Sequence, residues 1–484
     1  MKSIIRLFAC LLTLLLHQQV HAANERPNLV FIIADDLTFR DIGCYGGQAH
    51  TPHIDRLATE GMKFTRCFQA APMCSPTRHN IYTGLYPVKS GAYPNHTFAK
   101  AGTESIAHYL KPLGYRVALS GKTHIGPRNV FPFEYSSEKN NPDMERVTQL
   151  FADCGESDAP FCLFACSNEP HSPWNKGDAS RYPLEKIKLP PYIADTPVVR
   201  ENFSRYLAEI TYYDDQVGDI LALLDKYELS ENTLVMVVSE QGNSFPFAKW
   251  TCYGHGLQSA MIVRWPGKVK PGTSTDAMVE YVDVTPTFLE AAGAAPAPVL
   301  DGESFIPVLT GKADRHKEFA YGIMTTRGII NGSDAFGIRT VRGEQYRLIW
   351  NLHHKTKFTN ACTKADYFQS MIAAAAAGDT KARELVDKYH HRPELELYDC
   401  DADPLEMTNL AAEPQYAKVV GRLKGKLEQW MEAQRDRGVE TELDALARQG
   451  RYRGMTHEEA VEAWRSKKAS AGKKKQARGK KKAS

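Results

Sequence analysis

The sequence has little of what membrane-spanning and nucleic-acid-binding proteins need. No stretch reaches the roughly 18 apolar residues that a membrane-spanning helix requires. The formal net charge of +3 over 484 residues gives the folded part of the chain no electrostatic reason to bind nucleic acid. No cysteine spacing resembles a structural zinc site, and no internal repeat stands out. We therefore predict a chain without a transmembrane segment and without a nucleic-acid partner.

The first 22 residues predict an export signal. Met1 to Arg6 carries positive charge, Leu7 to Leu16 is a short apolar run, and Val20 to Ala22 fits a small-residue cleavage site. We expect an exported protein that is periplasmic or secreted, or of lysosomal type in a eukaryotic cell. Of the ten cysteines, nine remain once Cys10 is removed with the signal. An odd number in an oxidising compartment suggests one thiol with a separate fate.

Four apolar segments, each followed by polar residues, predict the strands of a mostly parallel sheet. They are Asn28 to Ala34, Tyr115 to Ser120, Phe161 to Ala165 and Thr233 to Val238. Apolar residues at helical spacing run from Glu201 to Tyr227, between the third and fourth segments. This alternation predicts an α/β fold with helices flanking the sheet, and ligand sites in such folds form at the carboxyl ends of the strands.

Beyond about residue 312 the pattern changes to short strand-like segments and a helix near Tyr416 to Arg435, which predicts a smaller α+β domain. We expect a signal peptide at 1–22, a catalytic domain at 24–311, a smaller C-terminal domain at 312–445 and a disordered tail, helical and polybasic, at 446–484. A solvated tail is the favoured interpretation of the lysine-rich end. Contact with an acidic polysaccharide is the alternative.

The most specific segment is Cys74-Ser75-Pro76-Thr77-Arg78, followed by Thr83-Gly84. A cysteine beside a turn proline can be an ordinary buried residue. The whole segment, however, resembles the signature of the type I sulfatases, Cys-x-Pro-x-Arg followed by Thr-Gly. The resemblance implies that a formylglycine-generating or equivalent maturation enzyme converts Cys74 to formylglycine, whose hydrated aldehyde is the nucleophile.

A metal site is the second feature that this resemblance implies. Attack on a negatively charged sulfuryl group needs a cation, and oxygen ligands suit a hard ion such as Ca²⁺. Asp35 and Asp36, directly after the first strand, match the family's first pair of metal ligands. Glu240 and Gln241 stand where the family usually has Asp followed by Asn or His, so each is longer by one methylene. We expect these four residues and residue 74 to hold one Ca²⁺. A turn without metal at Glu240-Gln241 is the alternative.

Four further residues complete the expected catalytic set beside Cys74 and Arg78. The block Gly121 to Gly126 resembles the family's Gly-Lys-x-His-x-Gly, which implies that Lys122 binds sulfate and that His124 is the base that releases it. His171, in a Pro-His-x-Pro block, and Lys249 match the residues that protonate the leaving group. Each alone would be unremarkable, because isolated histidines and lysines are usually structural or solvated. Their order and placement after strands distinguish them.

The resemblance covers Asn28 to Tyr398 and implies an alkaline-phosphatase-like fold. The run from Gly121 to Tyr135 is similar to the heparan N-sulfatase, or sulfamidase, branch. We therefore predict an exported sulfatase that hydrolyses sulfate esters or sulfamates of sulfated glycans. The alternatives are an O-sulfatase acting on other sulfated polysaccharides, a phosphatase or phosphonate hydrolase of the same superfamily, and a non-catalytic binder of sulfated glycans. Only the departure at Glu240-Gln241 favours the binder.

Overall fold

The computed structural model describes residues 26–136 and 140–467. Its strands are β1 (Asn28–Ile33), β2 (Met62–Phe68), β3 (Arg116–Gly121), β4 (Glu134–Ser136), β5 (Phe161–Cys166), β6 (Thr233–Val238), β7 (Gln258–Arg264), β8 (Thr273–Thr275), β9 (Val279–Glu280), β10 (Ala320–Met324), β11 (Ile338–Arg342), β12 (Tyr346–Asn351) and β13 (Leu395–Asp399). The predicted signal at 1–22 and the lysine-rich end from 468 onward lie outside the described residues.

Helices connect these strands. They are α1 (Pro52–Glu60), α2 (Cys74–Thr83), α3 (Pro87–Ser90), α4 (Ile106–Leu110), α5 (Met144–Ser157), α6 (Pro197–Lys226), α7 (Gly254–Leu257), α8 (Val284–Ala291), α9 (Ile306–Leu309), α10 (Asp366–Ala376), α11 (Thr380–His390), α12 (Ala417–Gln434) and α13 (Val439–Asp444), with short 3-10 turns between several of them. Among the described residues, no helix combines the length and the apolar character needed to cross a membrane.

The large sheet has the strand order β4-β3-β5-β1-β6-β7-β2-β8, and β9 pairs with β2. Strands β4, β3, β5, β1 and β6 run parallel, whereas β7 is antiparallel to both of its neighbours. Every residue of β1, β5 and β6 is buried, because helices cover both faces of the sheet. The four predicted strands are thus the parallel centre of the sheet, and the predicted α/β fold class is confirmed.

The long helix α6 covers one face of this sheet with buried residues at helical spacing, among them Tyr206, Ile210 and Val217. It begins at Pro197, four residues before the predicted start at Glu201. The physical reason is local. The Thr196 side chain accepts a hydrogen bond from the N–H of Val199, and proline is favoured in the first turn, so the helix can start before its apolar stripe does.

The second sheet is antiparallel, in the order β10-β11-β12-β13. Leu423, Leu427 and Trp430 of α12 pack in one apolar cluster with Val341 and Leu348 of this sheet. The predicted smaller α+β region therefore has its own sheet and helix. A boundary near residue 312, between the end of α9 and the start of β10, remains our proposal.

Residues 446–467 are folded onto the rest of the chain, where the sequence predicted disorder. The N–H of Gly450 donates to the carbonyl of His96 at 2.7 Å, and Nε of Arg448 donates to the carbonyl of Gly91, also at 2.7 Å. Ala460 is fully buried in a small cluster with neighbours from the same segment. The polar sequence of 446–467 did not indicate this packing, because backbone and guanidinium hydrogen bonds hold the segment in place more than apolar contacts do.

The cysteines do not support the parity argument made from the sequence. All nine in the described residues are free thiols, and seven of them are buried. The odd number of cysteines therefore does not identify one of them as special. The hypothesis that Cys74 is modified depends instead on its surroundings.

Candidate active site

The chain segments that follow β1, β5 and β6 stay side by side beyond the edge of the large sheet. The N–H of Asp35 donates to the carbonyl of Glu169 at 3.1 Å, and the N–H of Leu37 donates to the carbonyl of Glu240 at the same distance. These bonds continue the ladder past the last strand residues. Polar side chains from three strands are thereby held at one place, as parallel strands with buried faces require.

Several non-glycine residues at this edge have a left-handed backbone. Among them, the φ angles are 61° at Asp36, 47° at His124, 23° at Gln241 and 72° at Trp250. Such conformations cost free energy and persist only where the surrounding structure fixes them, and they concentrate at functional sites. The strain marks this edge as a site whose side-chain directions are imposed by the fold.

Cys74 is the first residue of α2 and lies at the base of the site, 3% exposed. Its Sγ is 3.8 Å from Oδ1 of Asn95, and burial raises the pKa of the thiol to about 12, so the sulfur keeps its proton at neutral pH. Arg78, one turn further along α2, is fully buried. Its guanidinium donates to the carbonyls of Lys122 at 3.2 Å and Ala34 at 3.4 Å. The helix thus places residue 74 and a fixed cation on the same side.

Asp35 and Asp36 are fully buried, and both carboxylates accept a hydrogen bond from the side-chain amide of Gln241. Nε2 of Gln241 donates to Oδ1 of Asp35 at 2.9 Å and to Oδ1 of Asp36 at 2.8 Å. Lys122 forms an ion pair with Asp35, and Nζ of Lys249 lies 2.7 Å from Oδ2 of Asp36. Oε1 of Gln241 is buried and accepts no hydrogen bond from the described residues. Converging carboxylates and an unpartnered amide oxygen form a donor set that fits a hard divalent cation.

Glu240 is fully buried at the same edge, but its carboxylate faces Arg78. Nη2 of Arg78 donates to one carboxylate oxygen at 3.2 Å, and Nε lies 3.2 Å from the other without forming a hydrogen bond to it. The guanidinium thus neutralises the carboxylate, and Oε1 of Glu240 accepts no hydrogen bond from the described residues. The structure brings Glu240 into the cluster with Gln241, and the extra methylene lets its carboxylate reach the arginine.

His171 approaches the cluster from the chain after β5. Its Nε2 is 3.6 Å from Oδ2 of Asp36, and its Nδ1 contacts the carbonyl of Ser172 at 2.6 Å. The positive charge of Lys249, followed by burial, lowers the pKa of His171 to about 4, against the opposing effect of Asp36. The contact between Nδ1 and the carbonyl of Ser172 orients the ring so that Nε2 faces the cluster.

His124 forms an imidazole pair with His96. Nε2 of His124 is 2.8 Å from Nδ1 of His96, and Nδ1 of His124 is buried without a hydrogen-bond partner in the described residues. Burial, followed by the charge of Lys122, lowers the pKa of His124 well below its ordinary value. The ring is therefore neutral, with Nε2 engaged by His96 and Nδ1 facing no hydrogen-bond partner among the described residues.

A cleft of about 950 Å³ opens above these groups, and we call it the catalytic cleft. Five of the six residues expected to be catalytic line it, namely Cys74, Lys122, His124, His171 and Lys249. The sixth, Arg78, lies behind Cys74 with no exposed surface. The structure thus gathers the whole predicted set at one site, although the chemical role of each residue remains a prediction.

Sequence reasoning missed three residues of this site. Asn95 and His96 line the cleft, and Oγ of Ser244 donates to Oδ2 of Asp36 at 2.9 Å. Ser244 stands three residues after Gln241, so the polar loop after β6 offered a signal for it. Asn95 and His96 lie in a segment without a strand-end pattern, and no motif there indicates that this segment folds back beside Cys74.

Known protein families and relatives match the sequence of this chain. Residues 27–294 match the sulfatase family, and residues 242–367 match the family described as N-sulphoglucosamine sulphohydrolase, C-terminal. An ulvan-active sulfatase of Formosa agariphila is 33% identical over 427 residues, which cover 86% of this chain and 82% of that protein. The chain belongs to the sulfatase family. The N-sulphoglucosamine sulphohydrolase of Homo sapiens is 26% identical to this sulfatase, over 84% of this chain and 90% of that protein.

Solved structures share the fold of this sulfatase. One, determined in complex with its substrate D-glucosamine-2-N,6-O-disulfate, has a TM-score of 0.64 at 20% identity and covers 85% of this chain and 99% of that chain. A 2-O glycosaminoglycan sulfatase has a TM-score of 0.61 at 19% identity, over 85% and 93% of the two chains. The expected alkaline-phosphatase-like fold is confirmed. The chain is a hydrolase of sulfate esters or sulfamates, in a family that generally uses formylglycine and a divalent metal.

We expect Arg78→Lys to lower kcat/KM about 100-fold, the scale of losing one fixed donor at a reacting centre. A lysine keeps the charge but cannot donate to Glu240 while also reaching two backbone carbonyls. The measurement is steady-state hydrolysis of 4-nitrocatechol sulfate, with circular dichroism to show that the fold is retained. The exposed Arg181→Lys is the matched control. Equal activity of the two variants would contradict the role given to the Arg78 fork.

Proposed function

We propose that this sulfatase is an exported enzyme that releases sulfate from sulfated glycans, using a formylglycine made from Cys74 and one Ca²⁺. The observation that carries the proposal is the position of Cys74. It lies at the base of the catalytic cleft, one helical turn before a buried arginine and beside a buried cluster of oxygen donors.

Asp35, Asp36 and Gln241 are the residues that would hold the cation, together with residue 74. Their carboxylate and amide oxygens are of the type that Ca²⁺ prefers. Glu240 completes the predicted four. Arg78 donates to one of its carboxylate oxygens, and the other accepts no hydrogen bond from the described residues. A bound divalent ion would neutralise negative charge on the sulfuryl group.

The side chains around the cleft can carry the proton transfers. A formylglycine at position 74 would supply, as its hydrate, the oxygen that attacks sulfur. Arg78 holds a positive charge one helical turn after that residue, and Lys122 offers an ammonium group to the sulfate oxygens. His171 and Lys249 stand on the other side of Asp36, beside the departing oxygen or nitrogen. Against the opposing effect of burial, the charge of Asp36 raises the pKa of Lys249, so Lys249 carries the proton for the leaving group and Nε2 of the neutral His171 orients that group. Nδ1 of His124 would accept the proton of the second hydroxyl of the hydrate when sulfate leaves.

Two substrate classes have specific support. A sulfamate on glucosamine is favoured by the match of residues 242–367 to the N-sulphoglucosamine sulphohydrolase C-terminal family, and by the run from Gly121 to Tyr135. A sulfate ester on another polysaccharide is favoured by the 33% identity to the ulvan-active sulfatase. The cleft, at about 950 Å³, has room for a sugar unit in both cases.

Mass spectrometry tests the modification of Cys74. In protein produced together with a formylglycine-generating enzyme, we expect the tryptic peptide from Cys67 to Arg78 to carry an aldehyde at residue 74. Its abundance should rise in proportion to specific activity, and Cys74→Ala should be inactive while folded. Active protein whose residue 74 is entirely thiol would rule out the proposed nucleophile.

Calcium binding tests the oxygen cluster directly. We expect Asp36→Asn to abolish Ca²⁺ binding in isothermal titration calorimetry and to lower turnover at least 100-fold, because a buried ligand loses its charge. The control is Asp215→Asn, which changes an exposed acid of the group formed by His53, Asp214 and Asp215. If Asp215→Asn removed binding and Asp36→Asn did not, the ion would belong to that other group.

Rates of sulfate release from N-sulfated and O-sulfated sugars distinguish the two substrate classes. We expect sulfate release from an N-sulfated glucosamine terminus to be faster than from 6-O-sulfated, N-acetylated glucosamine, because polar groups matched to one leaving atom discriminate strongly against another. Released sulfate is measured by ion chromatography under identical conditions, with sulfated ulvan oligosaccharides as a third substrate. Faster release from either O-sulfated substrate would favour the O-sulfatase and leave the catalytic set unchanged.

A further inference from the structure

The catalytic cleft continues into a second groove of about 810 Å³. His96 and Ile330 line both spaces, so the two are contiguous. We call this space the terminal groove, defined by His96, Ile330, Asn331, Arg451, Trp464 and Lys467. Three of these residues come from 446–467, the segment in which the sequence predicted disorder.

This segment is fastened to the loop that faces Cys74. Gln449 and Thr97 form an antiparallel bridge, and Nε2 of Gln449 donates to the carbonyl of Asn95 at 3.4 Å. Asn95 in turn contacts Sγ of Cys74 at 3.8 Å. The segment that carries Arg451, Trp464 and Lys467 is therefore held against the loop that contacts Cys74, and a ligand in the cleft can extend past His96 into the groove.

The groove combines an apolar floor with positive charge. The Ile330 side chain is 72% exposed, and Trp464 is half-buried beneath the guanidinium of Arg327, which is 5.1 Å from the ring centroid. Arg451 is exposed and held in place, since its Nε and Nη2 donate to Oε1 of Gln449 at 2.9 and 2.7 Å and Nη2 also donates to the carbonyl of Gly328. Sugar rings pack on apolar and aromatic side chains, and the positive charge of an exposed guanidinium attracts sulfate oxygens.

The positive charge of the terminal groove favours a negatively charged ligand. None of the described residues that line it is acidic, whereas Arg451 and Lys467 are basic. Residues 468–484, which follow Lys467 directly, contain eight basic residues and no acidic residue. The groove and that stretch carry charge of the same sign, and a polyanion is attracted by both.

We propose that the terminal groove binds the continuation of a sulfated glycan chain whose reacting unit lies in the catalytic cleft. The proposal rests on the proposed function and specifies that longer chains are the better substrates. Contacts in the groove are the same before and during reaction. They therefore lower KM for long chains and leave kcat unchanged.

The test compares chain lengths in the full-length protein. Substrates are disaccharides and octasaccharides of N-sulfated heparan and of ulvan, with 4-nitrocatechol sulfate as a probe too small to reach the groove. For the double variant Trp464→Ala/Lys467→Gln we expect kcat/KM to fall about tenfold on octasaccharides and to stay at the wild-type value on disaccharides and on the aryl sulfate. Lys418→Gln, an exposed lysine on α12, is the matched control and should change none of them.

Binding separates this proposal from the proposed function. Inactive Cys74→Ala protein should bind the octasaccharide of one glycan at least tenfold more tightly than its disaccharide in calorimetry, and the double variant should remove that difference. Equal affinities for both lengths would overturn the proposal that the terminal groove binds glycan and would leave the proposed glycan hydrolysis unaffected.

Hydrolysis of the aryl sulfate without binding or turnover of any glycan would overturn the proposed function, and the proposal for the groove with it. A length preference that is lost on truncation after Lys467 but kept in the double variant would assign it to residues 468–484 and overturn the groove.

Discussion

Buried charge at the carboxyl edge of the large sheet is the constraint on which the site depends. Three carboxylates with no exposed surface stand there, and each is opposed by a cationic side chain. The pairs are Asp35 with Lys122, Asp36 with Lys249, and Glu240 with Arg78. Removing one partner from a buried ion pair leaves an uncompensated charge, which costs about 3–5 kcal/mol. Each member therefore fixes the position of the other, and the three ion pairs hold the six side chains together.

The parallel centre of the sheet makes this arrangement possible. Strands β5, β1 and β6 end in register, and backbone hydrogen bonds continue between the segments that follow them. Helix α2 then carries a cation into the same place, with Arg78 reaching across to the chain after β1 and to the chain after β3. A helix that packed differently would leave Glu240 buried without its partner. The catalytic cleft is thus a consequence of strand alignment as much as of its lining residues.

The sequence was sufficient for the parallel strands and for the six residues expected to be catalytic, because apolar runs and short motifs are local patterns. It misplaced the start of α6 by four residues, where a capping threonine and a proline outweighed the apolar stripe. It predicted disorder for 446–467, because that segment is polar and its anchors, such as Gly450 to His96, join residues more than 350 positions apart. It did not find His96, whose pairing with His124 exists only once two loops meet. Polar contacts between residues far apart in the chain produce no periodic pattern in the sequence, so the sequence alone does not predict them.

The burial of α2 sets an order of events in the life of the chain. All ten of its residues, from Cys74 to Thr83, are shielded by the surrounding sheet and helices. The proposed conversion of Cys74 by a second protein needs access to a side chain that this burial removes. Under the proposed function, the conversion therefore precedes the packing of α2 against the sheet, and chains that fold first keep the thiol.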